Sequence, residues 1–347
     1  MRIAMLAPLR FPIAEPYAGG LEAHTHQLAI GLRELGHEVT LFAHPDSDSS
    51  FPIVPFSLDE NPSFWESLKA YRTVIRRLKE GGYDLIQNNT IHFFPPLMAR
   101  FLSVPMVTTR HTPPYRSHQA TAGMTCRVKN HRYVSISHHI ARVWEVYGGV
   151  STVIHNGVDL ERFSTAVAAP SSPTETQATE KTAIWYGRIL PDKGTHFAAM
   201  AARAAGFSLQ IVGTIDDQDY FDREVAPLLN NQIQYLGRRT QSELASLVAA
   251  ASVGLVTPQW EEPFGLVCIE MLACGTPVAA FRNGAIPEII DASCGRLVDQ
   301  ADTEALARVL SEVAKLPPTA CRARAEEFSL KTMVQRYANL YGSLVNN

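Results

Sequence analysis

The sequence predicts an α/β protein of two doubly wound domains facing each other across a cleft. Three observations predict it. Short apolar runs rich in β-branched residues alternate with segments of helical period up to residue 157. Residues 164–182, STAVAAPSSPTETQATEKT, then break the alternation with Ser, Thr, Ala and Pro at no period, the composition of an exposed linker. From residue 183 a second alternation begins. A chain of 347 residues is long for one core and comfortable for two.

Taken in order, residues 2–7 (RIAMLA) read as a buried strand. The loop PLRFPIAEPYAGG follows, and residues 21–35 run at helical period to a stop at Gly36. Residues 38–43 form the next strand, and strand, helix, strand in that order opens a parallel sheet. Residues 64–80, FWESLKAYRTVIRRLKE, mix aromatics with Lys and Arg at helical spacing. An amphipathic surface helix accounts for them, and peripheral contact with a membrane is the alternative. Further strands fall at 83–89, 104–110, 133–137 and 151–157. In the second half they fall at 183–188, 209–213, 233–237, 252–256, 277–281 and 295–299, and residues 331–344 are helical again. The expected division is therefore a Rossmann-like domain over 1–163, a linker over 164–182 and a second Rossmann-like domain over 183–330. Ligands of such sheets bind beyond the carboxyl ends of the strands.

Composition narrows the function. Hydrophobic content of 46% and charged content of 19% are globular values, and a net charge of −3 gives no reason to expect nucleic acid. The five cysteines are odd in number and form no CxxC, so neither zinc nor a disulfide framework is indicated, and a reducing cytosol fits. The N-terminus MRIAMLAP enters a loop too soon for a signal peptide, and no apolar run approaches about 20 residues, the length of a membrane-spanning helix. A cytoplasmic protein is expected, peripheral at most at the inner face of the membrane. The dinucleotide fingerprint GxGxxG and the P-loop are both absent, which counts against dehydrogenases and NTPases.

The chain is organised around residues 258–280, PQWEEPFGLVCIEMLACGTPVAA. A strand precedes them, a helix runs through FGLVCIEMLAC to Gly275, and Pro277 opens the next strand. Glu262 ends the loop, and Glu270 lies in the helix among Ile269, Met271, Leu272 and Ala273. A carboxylate at a buried surface needs donors, which sugar or ribose hydroxyls or a neighbouring Arg would supply. Free N–H groups at Phe264, Gly265 and Leu266 make the helix start an anion site, with Gly265 allowing close approach.

Other constellations lie at strand ends. Gly19 and Gly20 precede a helix, which suits either a tight turn or backbone N–H groups facing an anion or a sugar. His111 follows a strand in VTTRHTPP, while His24 and His138 have only position to recommend them. Arg188 and Lys193, in YGRILPDKG, are two cations around a Pro turn that could reach one diphosphate or form a solvated turn. Two Asp-x-Asp triplets, at Asp46 and Asp48 and at Asp217 and Asp219, sit in contexts that suit turns and caps. No Asp or Glu occurs between Asp84 and Glu145, while Arg100, Arg110, Arg116, Arg127, Lys129 and Arg132 do, which suits either a positive surface facing an anionic acceptor or lipid, or charges scattered over a solvated surface.

The pattern Glu262, seven residues, Glu270, with FGL between and CGTPVAA after, resembles the donor-site signature of the retaining family 4 glycosyltransferases. G-R-x4-K-G around Arg188 and Lys193 is similar to that family's diphosphate-binding pair, and GAIPEI to its G-G-x-P-E, with Ala285 at the second Gly. The resemblance covers nearly the whole chain and is thin over residues 51–100. It implies the GT-B fold, with the C-terminal helix of 331–347 packing back on the first domain. It implies that Glu262 contacts the transferred sugar, Glu270 the nucleotide ribose, and Arg188 and Lys193 the diphosphate. It implies that His111 lies close to the reacting sugar, that Gly19 and Gly20 lie near donor phosphates and acceptor, and that the base lies near residues 235–237. The function so implied is retaining transfer from a nucleoside-diphosphate sugar, a UDP-sugar by the likeness of WEEPFG, to an unidentified acceptor. No cofactor and no divalent metal is expected, since the two cations already face the diphosphate. The competing readings are a sugar-nucleotide epimerase, which would need acid–base carboxylates that have no evident place, and a non-catalytic sugar-nucleotide-binding subunit, which would release no sugar from a donor.

Overall fold

The computed structural model describes residues 1–59, 62–164 and 181–345, so most of the linker expected over 164–182 lies outside the described residues. The chain divides into two compact units. The first joins Met1–Gly157 to the C-terminal segment from Leu330, and the second is Val158–Ser329.

In the first unit seven parallel strands are described: β1 (Arg2–Leu6), β2 (Glu38–Ala43), β3 (Ile53–Pro55), β4 (Leu85–Asn88), β5 (Met106–Arg110), β6 (His131–Ser135) and β7 (Thr152–Val153). Their order is β3-β2-β1-β4-β5-β6-β7. In β1 the period of two sends Ile3 and Met5 to one face and Ala4 and Leu6 to the other. The first face packs on Leu28 and Leu32 of helix Gly20–Glu34 and on Met333, Tyr337 and Tyr341 of helix Leu330–Val345. The second packs on Tyr71, Val74 and Leu78 of helix Phe64–Glu80. Burying one Leu on such a face stabilises by about 1.5–3 kcal/mol. Ser63 opens helix Phe64–Glu80 with a capping box to Glu66.

The C-terminal helix is tied to the first sheet by polar as well as apolar contacts. Tyr341 donates to Gln87 Oε1 at 2.7 Å, and the Tyr337 hydroxyl lies 3.0 Å from Thr109 Oγ1. The sequence expectation ended the first domain at residue 163. The units instead part after Gly157, because Val158 N donates to Phe328 O at 2.9 Å and helix Leu160–Ser164 packs on helix Leu266–Ala273 of the second unit.

The second unit has β8 (Thr182–Tyr186), β9 (Ser208–Val212), β10 (Ile233–Tyr235), β11 (Val253–Val256), β12 (Val278–Phe281) and β13 (Gly295–Val298), all parallel, in the order β10-β9-β8-β11-β12-β13. Helices Thr195–Ala205 and Thr303–Val313 cover the face that carries Trp185, Leu209 and Ile211. Helix Leu266–Ala273 buries Cys268, Ile269, Met271 and Leu272, and Met271 fills the space that a side chain at Gly254 of β11 would need. In each sheet the strand order reverses beside the first strand, between β1 and β4 and between β8 and β11. That crevice is the usual ligand position in doubly wound folds.

Two differences from the sequence expectation concern strand length. β3, a three-residue edge strand ending on Pro55, was too short to stand out. The strand expected over 151–157 shrinks to Thr152–Val153, because the backbone beyond it turns to other partners, Gly157 N donating to Met333 Sδ at 3.2 Å. Among the described residues no helix is long and apolar enough to cross a membrane, and all five cysteines are free thiols.

Candidate functional site

The loops after β8 and β11 meet at the reversal point of the second sheet. Thr257 stitches them together: its hydroxyl donates to Gly194 O at 2.9 Å and accepts from Trp185 Nε1 at 3.2 Å. Gln259 N donates to Asp192 O at 2.7 Å. This brings Lys193 to Glu262, with Nζ 2.8 Å from Oε2 and the two side chains only 22% and 18% exposed. Trp260 Nε1 donates to the same oxygen at 3.0 Å, and the Lys193 ammonium lies 4.7 Å from the Trp260 ring centre. Glu262 is thus fixed by a cation and an indole, with Oε1 uncommitted in this network.

Residues 284–289 hold the Glu262 backbone. Gly284 has φ 57°, and any Cβ there would overlap Glu262 main-chain atoms, while Ala285 N donates to Glu262 O at 2.8 Å. Ala285 itself has φ −89°, so this position needs no glycine. Gly265 caps helix Leu266–Ala273 at φ 100° and ψ 51°. A Cβ there would meet its protein neighbours at ordinary contact distance, so within the protein the requirement for glycine is backbone conformation. The helix starts at Leu266, two residues later than expected. Its unspent N–H groups therefore include Leu266 and Val267, and the Phe264 side chain is buried against Phe328.

Glu270 lies on the same helix. Tyr186, the last residue of β8, donates to its Oε2 at 2.8 Å. Burial pushes the Glu270 carboxyl above its ordinary range, and the Tyr186 hydrogen bond and the positive charge of Arg162 oppose that rise. Arg188 is 59% exposed and pairs with Asp216 at 3.3 Å, which Thr214 also holds at 3.0 Å. Residues 235–237 lie beside these loops: Gly237 O accepts from Gly213 N at 3.1 Å, and Tyr235 donates to Gly213 O at 2.9 Å.

In the first unit His111 follows β5 and is buried against His24 of helix Gly20–Glu34, with ring centres 4.8 Å apart. Burial holds both imidazoles neutral: His24 falls to about 4 and His111 well below the usual histidine range. Gly19 is the N-cap in extended backbone, and the Glu22 carboxylate lies within the first turn beside it. The Asp-x-Asp triplets have structural partners. Asp48 accepts from Ser50 and lies 2.9 Å from His26 Nε2, and Asp217 accepts from Tyr220 N as a helix cap.

A sequence profile described as Glycosyltransferase Family 4 fits residues 18–162, and one described as Glycosyl transferases group 1 fits residues 171–328. The chain belongs to the family 4 glycosyltransferases. Its relatives include the phosphatidyl-myo-inositol mannosyltransferase of Mycolicibacterium smegmatis, 28% identical over 339 residues that cover 89% of this chain and 84% of the relative. The D-inositol 3-phosphate glycosyltransferase of the same organism is 27% identical, covering 94% and 86%. Among solved structures, a glycosyltransferase from Rickettsia africae matches with TM-score 0.82 at 19% identity, over 100% of this chain and 99% of the other. Anabaena Alr3699/HepE in complex with UDP-glucose matches with TM-score 0.75 at 22% identity, over 99% and 100%. The fold is that of the GT-B glycosyltransferases.

As a family 4 glycosyltransferase, the chain brings Lys193, Glu262, Gly265, Leu266 and Glu270 together on two linked loops and one helix. Arg188 stands beside them on its own ion pair with Asp216. His111, Gly19 and Gly20 are in the first unit. Sequence reasoning missed Tyr186, Thr257 and Trp260. Tyr186 ends β8 and Thr257 directly follows β11, and the apolar pattern of both strands hid these polar groups, whereas Trp260 was visible in PQWEEPFG and was passed over for the acids next to it.

Proposed function

We propose that this glycosyltransferase is a retaining hexosyltransferase that takes its sugar from a UDP-sugar and passes it to an anionic acceptor. The observation that carries the donor assignment is the Lys193–Glu262–Trp260 cluster at the reversal point of the second sheet, directly before a helix N-terminus. The UDP-glucose complex of the Anabaena neighbour supports a uridine nucleotide.

In the reaction the anomeric C–O bond to the diphosphate breaks and a new bond forms to an acceptor oxygen on the same face. The proton of the acceptor hydroxyl goes to the leaving phosphate oxygen. Negative charge grows on that phosphate, and Lys193, Arg188 and the N–H groups of Leu266 and Val267 are the donors assigned to it. Each preorganised donor of this kind is worth about 3–4 kcal/mol of barrier. Glu262 holds the sugar through the oxygen that Lys193 and Trp260 leave open. Glu270 takes the ribose hydroxyls, whose hydrogen bonds would stabilise the carboxylate against the burial that raises its pKa. His111, neutral at working pH, contributes a hydrogen bond to the sugar and no charge. Two fixed cations make a divalent ion unnecessary in this reading.

A peripheral lipid contact belongs to the same proposal. Helix Phe64–Glu80 leaves Trp65 73% and Phe64 55% exposed, next to a surface groove lined by Lys69, Arg72 and Arg76. Aromatics beside cations suit an anionic membrane surface, and sedimentation with anionic but not zwitterionic vesicles is the expected behaviour.

A thermal-shift screen of UDP, GDP and ADP, followed by their sugars, tests the proposed function. UDP and a UDP-sugar are expected to stabilise the protein, with slow release of free sugar. Stabilisation by GDP or ADP alone would move the donor assignment, and stabilisation by none would remove it.

A further inference from the structure

The first unit buries a cation that no carboxylate among the described residues neutralises. Arg110 ends β5 and is 3% exposed. Its guanidinium lies over the rings of Tyr133 and Trp144, 3.7 and 4.3 Å from their centres. Nη1 donates to Gly149 O at 3.2 Å, while Nε and Nη2 have no acceptor. The Tyr133 hydroxyl, bonded to Thr125 Oγ1, also attracts the guanidinium but takes no hydrogen bond of good geometry from Nε or Nη2. Nε–H and Nη2–H are the parallel pair on one edge of a guanidinium, the edge that grips an oxyanion with two hydrogen bonds. Aromatic faces favour the cation but do not satisfy those N–H groups, and a buried arginine without an acceptor is costly.

Arg110 forms part of the wall of a cavity with His92, His111, Thr112 and His118. Every residue of that wall comes from the stretch between Asp84 and Glu145, which holds no Asp or Glu, so the cavity has no carboxylate to pair with the cation. Burial, with a smaller contribution from His118 for His92 and from Arg110 for His118, pushes both imidazoles down to about 4. Arg110 itself falls only to about 10 and stays charged at neutral pH. His111 Nε2 and His118 Nδ1 also have no partner. The cavity therefore collects one permanent positive charge and four unspent polar atoms. A carboxylate gripped by that edge has both of its oxygens engaged there, whereas a tetrahedral oxyanion has further oxygens to offer an imidazole.

We propose that this cavity binds a phosphate ester of the acceptor, with Arg110 as a bidentate ligand and His118 as a further donor, beside the His111 assigned to the reacting sugar. Calling the ligand the acceptor rests on the glycosyltransferase function proposed above. The anion site itself rests on the cavity alone.

The test is calorimetric titration of the full chain with methyl phosphate, dimethyl phosphate and acetate at fixed ionic strength. UDP binding is measured in parallel to report on the second unit. Saturable binding of a phosphate ester is expected. The monoester arm points to a soluble phosphorylated acceptor and the diester arm to a lipid headgroup. Arg110→Lys keeps a cation but loses the fork, and should weaken binding about tenfold or more with UDP affinity unchanged. His118→Ala, which keeps Arg110 and the two rings over it, should weaken it several-fold and provides a second arm should Arg110→Lys unfold. No saturable binding, equal binding by wild type and both variants, or acetate binding as tightly as the phosphates would overturn the proposal. Failure of the UDP titration with phosphate binding intact would instead count against the donor reading and leave the anion site standing.

Discussion

Replacing Lys193 by Met separates two effects that the free protein combines. Lys193 Nζ lies 2.8 Å from Glu262 Oε2 with both side chains mostly covered, so the substitution strands a partly buried carboxylate on Trp260 Nε1 alone. Its cost to folding should lie between the limits for exposed and buried pairs, about 1–3 kcal/mol. Its cost to turnover should be larger, on the order of 10²–10³, because the growing charge on the diphosphate loses a fixed cation. Glu262→Gln acts the other way on the nucleotide. It releases Lys193 from its partner, so affinity for UDP without sugar should hold or rise while turnover falls. The assays are urea unfolding and UDP titration for both single variants and the double variant, with kcat/KM on the UDP-sugar chosen by the screen. Equal losses of UDP affinity for Lys193→Met and Glu262→Gln would refute the division of roles. Loss of turnover no larger than the folding cost explains would make Lys193 a structural partner only.

The remaining predictions concern the ribose, metal and pH. Glu270→Gln should weaken UDP by about 1.5–3 kcal/mol, the worth of a charged hydrogen bond to a hydroxyl, and UDP affinity equal to wild type would remove the ribose role. Transfer should survive excess EDTA, and activity abolished by EDTA and restored by Mg²⁺ or Mn²⁺ would require a metal beside Arg188 and Lys193. The first unit should lose stability as pH falls from about 6.5 to about 4. His24, His92, His118 and His131 each have folded pKa values pushed down to about 4 by burial, so in that window the unfolded chain binds more protons. Each contributes up to about 1.4 kcal/mol per pH unit to the slope. A melting temperature flat from pH 7 to 4.5 would contradict those buried neutral imidazoles.

The alternation of apolar and helical segments made both sheets legible, since parallel strands buried on two faces leave long apolar runs. Glu262, Glu270, Arg188 and Lys193 were legible because their spacing resembles a family pattern. Their partners were not, because partnership is set by sheet order: Tyr186 and Glu270 are 84 residues apart and meet only because β8 pairs with β11. The docking of the C-terminal helix followed from the family resemblance and not from its own pattern, since Tyr337 and Tyr341 look like any helical aromatics until Thr109 and Gln87 are placed under them. Arg110 was one of seven cations in an acid-free stretch, and nothing in the sequence set it apart as the buried one.

The central claim is retaining transfer from a nucleoside-diphosphate sugar, and the anomeric proton tests it most directly. Early-time proton NMR of the glycosylated product, formed from a UDP-sugar of known configuration, should show the donor's own anomeric coupling. A product of inverted configuration would contradict the account at its foundation, because the roles given to Glu262 and to the leaving phosphate both depend on same-face attack.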